Sequence, residues 1–124
     1  MEIEKHVKAP GYRNYWRSSS EKAPVERYID GIHNKEERAE LLSALKGIQE
    51  YGTDAVGVEF RQIEGKIGEL KIRSHSKHHR IFYVVLKGNE MILLHAYLKK
   101  TPKAPVKEIQ TAKQRMKQLT EGKR

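Results

Sequence analysis

The sequence predicts an α+β fold in a single domain, an antiparallel-rich sheet of about five strands with helices before and after it. Three observations carry this prediction. Apolar residues repeat with helical spacing up to about residue 51, with a period of two from Val58 to Lys99, and with helical spacing again after Pro105. Gly65 and the pair Gly88-Asn89 punctuate the middle segment as turns do. A length of 124 residues suits one domain, 1–124, and leaves no room for two.

The elements follow in order. Residues 12–17 alternate weakly and fit a first strand, ended by Ser18-Ser19-Ser20. Pro24 suits the first turn of a helix, and Val25, Tyr28, Ile29 and Ile32 form one apolar face over 24–32. Asn34 with Glu37 three residues later resembles a capping box. It opens a second helix over 35–51, with Leu41, Leu45 and Ile48 on one stripe, joined by Leu42, and Gly52 as its C-terminal cap. The two helices would form a hairpin. Val58, Phe60 and Ile63 belong to a strand that ends near Gly65. In the next, 67–73, Leu70 and Ile72 point one way and Lys71 and Arg73 the other. Residues 74–79 read as a polar loop. Strands 80–87 and 90–99 form a hairpin about Gly88-Asn89.

If Lys87 pairs with Glu90, the hairpin register follows. Arg80 faces Tyr97, Phe82 faces His95, Val84 faces Leu93 and Leu86 faces Met91, all on one face. Ile81, Tyr83 and Val85, with Ala96, Leu94 and Ile92, lie on the other, which reads as core under the helices. The first face reads as open, with Arg80, His95 and Tyr97 at its polar end. Pro102 and Pro105 hold an extended link. A last helix over 105–121 carries the stripe Ile109, Ala112, Met116 and Leu119, and Gly122 ends it. The ends, 1–11 and 122–124, are expected to be poorly ordered.

The net charge is +9 and unevenly spread. Residues 21–64 carry six basic and ten acidic side chains, whereas 65–124 carry fifteen basic and four acidic. A split of this kind points to a surface that meets a polyanion: nucleic acid, an anionic membrane or an acidic protein. The absence of cysteine excludes disulfides and thiolate metal sites. Residues 1–8 mix charges without an apolar run, so no signal peptide is read. The longest apolar stretches, 81–86 and 91–94, are too short to span a bilayer. The expectation is a soluble cytoplasmic protein that does not engage a membrane.

Three segments carry a family resemblance: Glu69-Leu70-Lys71-Ile72-Arg73, His79-Arg80-Ile81-Phe82-Tyr83, and Leu93-Leu94-His95-Ala96-Tyr97-Leu98-Lys99-Lys100-Thr101-Pro102-Lys103-Ala104-Pro105 followed by Glu108, Ile109 and Ala112. Together they resemble the phage-derived HigB branch of the RelE/ParE toxin superfamily, over about residues 12–121 and best in the second half. The resemblance implies a RelE-like small domain, a compact sheet with two N-terminal helices packed on one face. It also implies a cognate antitoxin, expected to be of helix-turn-helix type, and ribosome-dependent cleavage of mRNA.

The chemistry of the residues agrees. Cutting RNA without metal uses the 2′-hydroxyl as nucleophile on the adjacent phosphate. The site must take that proton, stabilise charge on phosphorus and protonate the leaving 5′-oxygen. A cluster of Lys and Arg with a His or Tyr can do all three. The resemblance assigns Lys71 and Arg73 to a cationic strand and Arg80 to a phosphate clamp. His95 and Tyr97 are the acid–base candidates, with base stacking as another role for Tyr97. Lys66, Lys77, His78, His79, Lys99, Lys100, Lys103 and Lys107 are expected to contact RNA or ribosome. The blander alternative for all these cations is a solvated face. His75, His78 and His79 share one segment, but no carboxylate or cysteine lies nearby in sequence, so neither a metal nor a cofactor is expected. Two rival functions remain: a ParE-like toxin that binds gyrase and cuts nothing, and a non-catalytic basic RNA-binding module.

Overall fold

The computed structural model describes residues 14–15, 24–86 and 91–121. The expected hairpin turn with its Lys87–Glu90 pairing, most of the first strand, Gly122 and the order of both termini lie outside the described residues. The elements are β1 (Asn14–Tyr15), α1 (Pro24–Asp30), α2 (Lys35–Tyr51), β2 (Val58–Glu64), β3 (Ile67–Ser74), β4 (Lys77–Val85), β5 (Met91–Leu98) and α3 (Val106–Glu121). Strands β2 to β5 form an antiparallel meander, and β1 adds two residues parallel to β5, giving the order β1-β5-β4-β3-β2. The α+β class is as the sequence reads. Among the described residues no helix is long and apolar enough to cross a membrane.

Each helix forms for a local reason. Asn34 accepts the Glu37 backbone N–H at 2.8 Å, which satisfies one orphan donor of α2. Gly52, at φ 62°, closes the same helix by returning its N–H to Ile48. Pro105 supplies the carbonyl that accepts Glu108 and Ile109 at the start of α3. The predicted first helix is two residues too long, because the chain turns at Gly31 and Ile32.

Two cores sandwich the sheet. Val25 and Ile29 of α1 and Leu41, Leu45 and Ile48 of α2 pack on Leu70, Ile72, Ile81, Met91 and Leu93. Ala112 of α3, with Ile109, Met116 and Leu119 beside it, packs on Ile67, Phe82, Val84, Ile92, Leu94 and Tyr97. Full burial of each large apolar side chain contributes about 1.5–3 kcal/mol. The face expected to be open is therefore covered over much of its length by α3.

Two expectations about the strands are corrected. Residues 74–79 are not a loop: β4 begins at Lys77, and only His75-Ser76 turn, with His75 at φ 58°. The register holds from Arg80–Tyr97 to Phe82–His95, then slips at a bulge, so that Tyr83 faces Leu93, Val84 faces Ile92 and Val85 faces Met91. Leu94 is the extra residue, and both it and His95 turn towards α3. The bulge reverses the expected faces beyond it. Met91 and Leu93 go under α1 and α2, while Ile92 and Leu94 go under α3.

Gly68 sits opposite Tyr83, whose ring lies edge-on to Phe60. A Cβ at Gly68 would stand 2.5 Å from the Tyr83 Cζ and Oη, so the ring occupies the space a side chain would need. Gly68→Ala should therefore overpack this point and cost about 1–3 kcal/mol. Urea melts should show a lower midpoint with an unchanged slope; an unshifted midpoint would mean that Tyr83 yields freely.

Candidate functional site

Two cross-strand lines run over the α3 side of the sheet. One joins Glu59, Lys71, Arg80 and Tyr97 across β2, β3, β4 and β5. The next joins Arg61, Glu69, Phe82 and His95. Strand alternation puts both lines on the face opposite Leu70 and Ile72. The second line runs into the core under α3, and the first borders open space through Glu59, Lys71 and Arg80, with Tyr97 at its end in that core.

That space is a pair of adjoining concavities. One, of about 500 Å³, is bordered by Glu59, Lys71, Arg73, His78 and Arg80. The other, of about 260 Å³, is bordered by His78, Arg80, Lys99, Lys100, Thr101 and Pro102. His78 and Arg80 are common to both. Lys71 is held at 3.2 Å from the exposed carboxylate of Glu59.

Arg80 departs from its expected open position: it is only 5% exposed. Its Nε lies 3.8 Å from Oε2 of Glu69, itself 1% exposed, and has no hydrogen-bond partner among the described residues. The Tyr97 hydroxyl donates to the same carboxylate oxygen at 3.1 Å. Burial of either charge alone would be costly, so each requires the other. Burial, and then the negative charge of Glu69, hold the Tyr97 phenol well above its ordinary range. Tyr97 therefore keeps its proton and acts as a donor to Glu69. Burial first, and the charge of Arg80 next, push Lys99 below the usual lysine range, with Lys71 and Arg61 adding to the effect and Glu69 opposing it.

His95 stands apart from the concavities. Its ring stacks on Phe82, and its Nε2 lies 2.5 Å from Oε1 of Glu108 on α3. Arg115 Nη1 donates to His95 Nδ1 and to the Leu94 carbonyl, each at 3.1 Å. A guanidinium only donates, so Nδ1 accepts and the proton sits on Nε2, directed at Glu108. Burial, the largest cause, lowers the His95 pKa, with Glu108 opposing. His95 joins β5 to α3 as a neutral ring.

The opposite face of the β3–β4 hairpin is tied to the helices. His79 is 2% exposed, with Nδ1 at 2.7 Å from the Tyr28 hydroxyl and Nε2 at 2.7 Å from Oε2 of Glu37. Burial, and then Glu37, push the Tyr28 phenol up to about 12, so it keeps its proton and donates to Nδ1. Lys77 reaches Glu37 at 3.9 Å, His75 reaches Glu36 at 3.8 Å, and Ser74 donates to Glu40. Three carboxylates at the start of α2 thus hold the tip of the hairpin.

Residues 29–117 match the profile of the family described as phage derived protein Gp49-like (DUF891). The chain belongs to the Gp49-like family. This family is associated with RelE/HigB-type toxins. Comparison with curated proteins gave no match.

In this Gp49-like chain, the expected site residues divide into those the fold gathers and those it separates. Lys71, Arg73, Arg80, His78, Lys99 and Lys100 border the concavities. His95 and Tyr97 are engaged elsewhere, as described. His79 is buried against Glu37 and Tyr28, so it is no surface contact for RNA. Lys77 points to Glu37 on the other face. Lys66 precedes β3, at the opposite end of that strand from Arg73. Lys103 and Lys107 are exposed beyond the concavities, one before α3 and one in its first turn. His75, His78 and His79 are drawn apart: one is on the turn, and the other two face opposite sides of β4. Glu69 and Glu59 escaped the sequence reading as site residues. The alternation that grouped Lys71 with Arg73 also places Glu69 on their side, and an acid within that row was the available signal.

The His95 environment makes stability depend on pH. Its folded pKa lies below the ordinary histidine value, so the unfolded chain takes up a proton first as pH falls. The stabilisation is complete above about 6.5 and lost as pH falls towards the lower folded value. Urea midpoints measured from pH 8 to 5 should fall more steeply for the parent than for His95→Gln. Parallel curves would remove His95 as the cause.

Proposed function

We propose that this Gp49-like chain is the toxin of a toxin–antitoxin pair and cuts mRNA on the ribosome. The proposal takes the reaction to be attack of a ribose 2′-hydroxyl on the adjacent phosphate, with protein cations in place of a metal. The observation that supports it best is Arg80, a buried arginine bordering both cationic concavities while its Nε lacks a hydrogen-bond partner among the described residues. A guanidinium held by burial and by Glu69 is oriented before substrate arrives. Such preorganised charge stabilises a developing phosphorane far better than a mobile surface cation does. Lys71 and Arg73 on one side, and Lys99 and Lys100 on the other, suit the flanking phosphates of a strand. The ribosome would present the mRNA in line for attack. A cognate antitoxin would restrain the toxin, and its co-expression should restore growth.

The test is primer extension on an mRNA translated in vitro, with ribosome-free RNA as the control. Cleavage should need the ribosome, and binding should weaken steeply as salt rises, because neutralising phosphates releases counterions. Lys71→Ala and Arg73→Ala should leave the circular dichroism spectrum unchanged and slow cleavage by about 10²–10³. Arg80→Ala should do more, since it also leaves Glu69 without its buried countercharge, at a cost of about 3–5 kcal/mol. A chain that arrests growth yet leaves translated mRNA intact would overturn the nuclease reading.

A further inference from the structure

We infer that His78 is the catalytic residue that accepts the 2′-hydroxyl proton, an assignment that rests on the nuclease reading above. The other candidates are withdrawn by their surroundings. His95 is held between Glu108 and Arg115, Tyr97 donates to Glu69, and His79 lies behind the sheet with Tyr28 and Glu37. His78 is different in each respect. It is exposed, it borders both concavities, and its ring has no hydrogen-bond partner among the described residues.

Its position is well defined. His78 pairs across the hairpin with Arg73, and its carbonyl accepts the Lys99 backbone N–H at 2.9 Å. Arg73, Arg80 and Lys99 therefore stand around it, with Lys71 and Lys100 further along the same two concavities and Glu59 at the rim. His78 and Arg80 are two residues apart on one strand and share a face, so their backbones are separated by about 7 Å. A phosphate lying between them would meet the guanidinium with one oxygen, while the imidazole reaches the neighbouring ribose. Imidazole is the side chain best suited to exchange a proton near neutral pH.

The step balances as follows. The 2′-oxygen forms a bond to phosphorus as its proton passes to the His78 ring, which becomes imidazolium. The bond from phosphorus to the 5′-oxygen breaks, and that oxygen takes a proton from the Lys99 ammonium in the second concavity. Solvent then carries the proton from His78 back to Lys99. The products are a 2′,3′-cyclic phosphate and a 5′-hydroxyl, with no redox change and no co-reactant.

The experiment uses the full chain and ribosomes programmed with a short mRNA, under single-turnover conditions. Affinity is measured on the same complex carrying a 2′-deoxy residue at the cleavage point, which cannot react. His78→Gln should slow cleavage by about 10²–10⁴ while leaving that affinity close to the parent's. The parent rate should rise with pH as a general base loses its proton, and both His78→Gln and His78→Ala should lose that rise. Cleavage by His78→Gln at the parental rate would overturn the assignment alone. So would losses of affinity and rate in equal proportion, which would make His78 a binding residue. A parent that cuts no ribosome-bound mRNA would overturn the nuclease reading and this assignment with it.

Discussion

The hydrogen bonds of His79 to Glu37 and Tyr28 decide which way strand β4 faces. Side chains alternate along a strand, so a buried residue directed to the helices sends both neighbours to the opposite side. With His79 secured, His78 and Arg80 face the concavities. A one-residue slip would place Arg80 among the helices and leave Glu37 without its imidazole, stranding two buried charges. The same contact governs the helices. Glu37 occupies the third position of the capping sequence, where its backbone N–H is taken by Asn34 while its carboxylate turns to the sheet. One residue thereby begins a helix and sets the orientation of a strand.

The second constraint lies across the sheet, between Arg80 and Glu69. A free arginine on a surface samples many rotamers, and ordering it on binding costs free energy. Here that ordering is completed in folding. Glu69 is buried beside Phe82 and under the Tyr97 hydroxyl, and the low dielectric strengthens its attraction for the guanidinium. The last helix acts on the candidate site without lining either concavity. By packing on Phe82 and Tyr97 it supports the two aromatic side chains beside Glu69. His95, through Glu108 and Arg115, is one of the links that keep this helix in place.

How far the sequence could be read depended on whether its local signals were one-sided. The bounds of α2 were readable because a capping pair, a helical period and a terminal glycine agreed. The parity of β4 was readable because alternation along the strand separates Arg80, Phe82 and Val84 from Ile81 and Tyr83. The bulge was not. Met91 to Leu94 are all apolar, so either face could hold either pair, and only the helix above decides. The strand start at Lys77 was missed because a polar run reads as a loop when its partners, the acids of α2, are distant in sequence. His95 and Tyr97 were correctly grouped on the Phe82 face. Their reassignment came from α3, whose stripe was visible but whose docking position was not.

The charge split of the chain finds a physical meaning in this arrangement. The excess of acid before residue 65 and of base after it pointed to an external polyanion. Part of the acidic excess is engaged internally, because Glu36, Glu37 and Glu40 hold the hairpin tip through His75, Lys77, His79 and Ser74. These acids lie on the helix side of the sheet. The cations bordering the concavities lie on the other, with the apolar core around Leu70, Ile72 and Ile81 between them. Separation by a low-dielectric layer lets the acids hold the hairpin at short range, while the apolar layer and the greater distance keep them from being direct partners of the working cations. Glu59 and Glu69 lie beside those cations on the same side, where Glu108 is taken up by His95. The exposed carboxylate of Glu59 is well screened by water, and that of Glu69 is directed at Arg80 from below. The positive field over the concavities survives because the acids that shape the fold are either behind the sheet, beneath it or in water.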